Sequence, residues 1–160
     1  MMTRPGGYAP RGQRLSATVP HGHWKTTTFI AGLTARGFIA PMVLDGPMDA
    51  AAFVAYVEQV LVKEVRRGDL VILDNLSAHK TARVREALRQ RRIEYLYLPP
   101  YSPDKNPIEN AFSKLKRQVR AAAERTVEGL WVALGRLIDR FQPAECRNYL
   151  RHCGYDATNT

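Results

Sequence analysis

The chain has 160 residues, nearly half of them hydrophobic, which is enough to close the core of one ordinary domain and excludes a disordered polymer. Its formal net charge of +9 and pI near 9.9 favour a polyanionic partner such as nucleic acid. No apolar run reaches the length of a membrane span, because FVAYVEQVLV is broken by Glu58 and Gln59, and the N-terminus lacks the apolar stretch of a secretory signal. Cys146 and Cys153 have neither CxxC nor zinc spacing, which fits reduced thiols in a cytoplasmic protein.

Residues 1–20 are rich in Gly, Pro and Arg and read as an irregular arm. The β-branched and aromatic run from Trp24 to Ala31 predicts a strand, and Phe38 to Leu44 predicts a second one after a turn at Arg36-Gly37. Asp49 is placed to cap a helix with Phe53, Val57, Val60 and Leu61 on one face, ended by Gly68. The unbroken apolar run Leu70–Leu73 predicts a strand covered on both faces. A basic helix over Ala82–Arg92, with Val84, Ala87 and Leu88 inward, leads to the short strand IEYLYL. That strand–helix–strand succession implies a parallel pair.

The last third is helical. Asn106 and Pro107 open a helix with the stripe Ile108, Ala111, Phe112, Leu115, Val119 and Ala122. Val127 to Phe141 gives another helix, with Trp131 counted in the core, and Pro143 starts a short final one. The resulting order ββαβαβααα is an α/β layered fold with a mixed sheet flanked by helices. It divides into the arm at 1–20, a core at 21–142, and a short C-terminal helix and tail at 143–160.

Two carboxylates fall where such a sheet collects ligands, beyond the ends of its parallel strands. Asp74 closes VILD. Glu109 follows YLYL by way of the turn PPYSPDKNP, with 34 residues between the two acids. Glu109 begins a row on the helix flank that continues through Lys116 and Arg120. Other readings stay open at this point: Glu109 as a capping-box residue for Asn106, Asp74-Asn75 as an ordinary turn, and the cations as a solvated face.

At VILDNLSAHK and YLPPYSPDKNPIENAFSKLK the chain resembles the mariner-like insertion-sequence transposases of the DDE superfamily. The resemblance rests on Asp74-Asn75 with His79, the PPYSP turn, Asn106-Pro107 and Glu109, and extends to VPHGHWKTTTFIAGL and ERTVEGLW. It implies a ribonuclease-H-like fold and DNA transposition: metal-dependent strand cleavage by water, then strand transfer by the freed 3′-OH. It further implies that three carboxylates hold two Mg²⁺ (or Mn²⁺) ions, with Asp74 and Glu109 as catalytic metal ligands. Lys114, Lys116, Arg117 and Arg120 then become candidate DNA contacts, with Asn75, His79 and Asn106 in supporting roles. The implied partners are transposon-end and target DNA and a second subunit on that DNA, in a bacterial cytoplasm.

The family's first carboxylate belongs on a central strand upstream of GYAPRGQR, and the sequence has no acid before Asp45. The expectations are therefore a missing central strand, a possible second chain that supplies it, weak stability, and no activity for this chain alone. A non-catalytic DNA-binding or subunit-pairing fragment and a hydrolytic nuclease of the same fold are the alternatives.

Overall fold

In the computed structural model, residues 26–155 are described. Strands β1 (Thr27–Thr34) and β2 (Gly37–Asp45) form an antiparallel hairpin. Its register slips by one residue between Ile30 and Gly32, and Ala40 on β2 takes a left-handed φ of 50° there. This bulge twists the hairpin and turns Ala40 into the core.

Asp49 caps the next helix, as expected: its Oδ1 accepts from the Ala52 amide at 2.7 Å. Helix α1 (Ala50–Tyr56) runs through a π-turn (Val57–Leu61) into α2 (Val62–Glu64). The wider turn changes the phase of the helix, so Tyr56 and Val57 and then Leu61 and Val62 are all buried. A strict 3.6-residue period would have turned part of that set outward. The helix stops at Glu64, four residues before Gly68, which serves the following turn with φ +97°.

Strands β3 (Leu70–Leu73) and β4 (Glu94–Tyr97) pair in parallel across α3 (Ala82–Gln90), which Thr81 caps through Val84. Helices α4 (Pro107–Ala122), α5 (Val127–Ile138) and α6 (Pro143–His152) follow, completing the expected element order.

The hairpin supplies side chains to two cores. Ala40, with Ile30 and Met42, joins α1, α2, α3 and Leu73 in one. Phe29, Leu33, Phe38 and Val43 pack with α4, α5 and α6 in the other. Phe38 meets Phe141 edge-on at 4.8 Å between centroids and stacks on Phe112 at 5.8 Å, which sets α4 on the hairpin.

Several expectations need correction. The strands do not form one mixed sheet: among the described residues β1–β2 and β3–β4 are separate two-stranded sheets. The apolar run of β3 is not covered on both faces, since Leu70 is 53% exposed and Leu96 beside it on β4 is 52% exposed. Helices α4–α6 lie over the hairpin and leave this face of β3–β4 bare. Trp131 is 44% exposed rather than core, because α5 presents Ala133, Leu134 and Leu137 inward. Ala122 is also exposed, at the frayed end of α4.

Candidate active site

Asp74 leaves β3 into a turn that holds its carboxylate from two sides. The Leu76 amide donates to Oδ1 at 3.2 Å, and His79, on the 3₁₀ turn Ser77–Lys80, brings Nδ1 to 2.5 Å from the same oxygen. The imidazole contact falls outside hydrogen-bond angles and acts through charge and distance. Burial pushes the Asp74 pKa up, but the His79 contact and the Leu76 amide outweigh it, so the carboxyl lies below its ordinary value. His79 is itself fixed: its ring lies 3.9 Å from Phe53 between centroids, and the Tyr97 hydroxyl donates to its carbonyl at 2.9 Å. Both contacts to the carboxylate use Oδ1 and leave Oδ2 available to a ligand.

Glu109 is placed by the turn before α4. Asn106 occupies the N-cap position, yet its side chain makes no capping hydrogen bond; only its carbonyl accepts, from the Glu109 amide at 3.1 Å. The Glu109 carboxylate has no hydrogen bond or ion pair with the described residues. The capping-box alternative is therefore not realised, and the acid is exposed and unengaged. The turn is secured from behind by Tyr155, whose hydroxyl donates to the Lys105 carbonyl at 2.8 Å. Neither Tyr155 nor Tyr97 carried a signal in the sequence, because each works through a backbone carbonyl supplied by a distant element.

The two acids line one cleft. A recess of about 430 Å³ runs from Asp74, Asn75 and Leu76 across the proline turn to Asn106 and Glu109. A second recess of about 350 Å³, bordered by the same two carboxylates, continues between β1 and β3. The buried Tyr56 hydroxyl borders this inner recess without a partner, and burial pushes its pKa strongly upward.

Of the expected DNA contacts, Lys116, Arg117 and Arg120 are exposed and carry no ion pair. Lys114 is a correction. Its Nζ donates to both oxygens of Glu145 at 2.6 Å and lies 4.6 Å from the Phe141 ring centroid, so its charge is spent in docking α6. On α3, Arg83 and Arg89 are likewise paired, with Glu58 and Glu86. His21 and His23, the other histidine pair of the sequence, lie outside the described residues.

The donor set suits a hard divalent cation, since two carboxylates converge and one is entirely free. Among the described residues no group of three potential metal ligands occurs. The fit is right in chemistry and one ligand short in number.

Residues 1–130 match the family model of the DDE superfamily endonucleases. The chain belongs to that family. Membership implies use of a divalent metal. Among solved structures, the Mos1 strand transfer complex is similar at TM-score 0.72 and 21% identity, over 94% of this chain and 46% of that one. A Mos1 transposase paired-end complex with the left transposon end matches at 0.53 and 19%, over 96% and 52%. A Mos1 mariner paired-end complex with Mn matches at 0.50 and 19%, over 95% and 51%. These likenesses show the fold, in which small sheets are flanked by helices in the ribonuclease-H-like manner. The DDE chain spans about half the length of the solved relatives it matches. No curated protein matches its sequence.

Proposed function

We propose that this DDE chain is the catalytic region of a DNA transposase, cutting and joining strands at a site built on Asp74 and Glu109. One observation carries the reading: two acids separated by 34 residues, on elements from the two different cores, border the same cleft, and neither is consumed by a structural role. The family assignment supports it.

A divalent ion, Mg²⁺ or Mn²⁺, supplies Lewis-acid stabilisation of the charge on the reacting phosphate when bound. The chain's own residues do the rest. His79 and the Leu76 amide keep Asp74 ionised and oriented. The proline turn aims Glu109, and Lys116, Arg117 and Arg120 hold the DNA backbone along the flank of α4. Water is the nucleophile for cleavage, and the freed 3′-OH for strand transfer. The third carboxylate comes from a segment that enters the gap between β1 and β3, on this polypeptide or a second one, with the active assembly a homodimer on transposon-end and target DNA. The free sheet edges and the orphaned Tyr56 hydroxyl support that placement.

Titration of the chain with Mn²⁺, followed by the resonance of the free ion, tests the site. Asp74→Asn and Glu109→Gln are each expected to weaken binding at least tenfold. Wild-type affinity in both variants overturns the assignment. In plasmid nicking, the chain alone is expected to be inactive and to gain activity when an Asp-bearing strand is supplied; metal-dependent nicking by residues 26–155 alone overturns the need for a third ligand.

The absence of a third ligand among the described residues favours one alternative, a non-catalytic DNA-binding or subunit-pairing fragment. It predicts that DNA binding is indifferent to metal and survives in both carboxylate variants.

A further inference from the structure

Tyr101 sits between Pro100 and Ser102, in the turn that delivers Glu109, with a left-handed φ of 54°. Its relative exposure is 101%, so the ring touches nothing in the protein. A bulky side chain is rarely held in this backbone region, and here no packing interaction rewards it. The turn itself is braced: Ser102 Oγ donates to the Pro100 carbonyl at 3.3 Å, and the Lys105 amide donates to the Ser102 carbonyl at 3.1 Å. Prolines at 99, 100 and 103 remove backbone freedom on both sides. The outcome is an aromatic ring displayed on a stiff support at the rim of the cleft that holds Asp74 and Glu109. Leu76, 58% exposed, borders the same recess.

We propose that Tyr101 is a base-stacking residue, whose ring receives the unstacked nucleobase beside the phosphate at Asp74 and Glu109. The inference rests on the DNA-processing reading above and adds to it a contact with a base, where the cations contact only the backbone. A nucleobase fits the chemistry better than a protein partner. The ring stands alone at this rim with Leu76, too small an apolar surface for protein docking, whereas one aromatic face is what a single base requires. The cationic flank that would track the adjoining backbone starts one turn away, at Lys116. Stacking is tolerant of base identity, so Tyr101 sets the position of the strand in the cleft rather than the sequence it reads. The hydroxyl has no part in this, and phenylalanine is expected to substitute.

The test uses the full chain and a duplex with a single-stranded 3′ extension carrying 2-aminopurine, with Ca²⁺ in place of a catalytic metal. Binding is followed by anisotropy and stacking by quenching of the probe. Tyr101→Ala is expected to weaken binding about tenfold and to lose the quench, with no change in salt dependence. Tyr101→Phe retains both signals. Lys116→Ala lowers the log–log salt slope by about 0.7–0.9 and keeps the quench. Wild-type affinity and quenching in Tyr101→Ala, with wild-type DNA binding intact, overturns the stacking role alone. A fall in salt slope in Tyr101→Ala also overturns it, because the lost contact would then be electrostatic. A wild-type chain that binds no DNA defeats the DNA-processing reading and this inference together.

Discussion

Ala123 and Tyr101 share almost the same backbone angle, φ of 53° and 54°, but for different reasons. Ala123 is the exposed residue that ends α4, a position where glycine avoids the clash of a Cβ with the carbonyl. Ala123→Gly is therefore expected to raise stability by about 1 kcal/mol in urea denaturation, with DNA binding unchanged. Asp74 gives a prediction of opposite character. Its carboxyl pKa is depressed in the folded state, so its stabilising contribution is present above the unfolded value and is lost as pH falls through the lower folded one. His79→Ala removes the contact that overcomes burial. The Asp74 pKa measured by carbon NMR is expected to rise, and the loss of stability on acidification to begin at higher pH. The two acids were legible in the sequence because strand ends and proline turns punctuate it so clearly. The fates of Lys114 and Trp131 were not, since both depend on a partner or a vacancy in another element: Glu145 on α6 for the first, an open flank of α5 for the second.

At the level of elements, α6 is joined to α4 by a small polar network. Glu145 accepts from Lys114 and, at 2.5 Å, from the Tyr149 hydroxyl, which is pushed up to about 12 by burial and by that carboxylate. Cys146 beside it is fully buried and its thiol is pushed up by burial. Glu145→Ala leaves a half-buried ammonium without its partner and is expected to cost about 1–3 kcal/mol in thermal or urea unfolding. The salt slope of DNA binding should not change, which would separate Lys114 from the exposed cations of α4. Element order and type followed from periodicity and caps, down to Asp49 and Thr81 at their helix starts. The π-turn was hidden, because a run as apolar as Phe53–Val62 satisfies several phases at once. Proline-turn geometry was half legible: its stiffness follows from composition, but the left-handed Tyr101 within it has no sequence signature.

For the whole molecule, the two cores divide the functional residues between them. Asp74 belongs with β3, α1 and α3; Glu109 belongs with α4, which the phenylalanines anchor to the hairpin. That the chain forms layers around strands was legible from its pattern. That the strands split into two sheets was not expressed in any local pattern, because edge pairing between β1 and β3 depends on what lies between them. The seam between the halves has a mechanical consequence. Each half carries one acid, so the width of the seam sets the span between the acids, and any guest wedged into it acts as a gauge for the ion. Thermodynamic reciprocity then requires the ion to tighten its hold on the guest by the same factor, making assembly of this protein and loading of its metal a single coupled event.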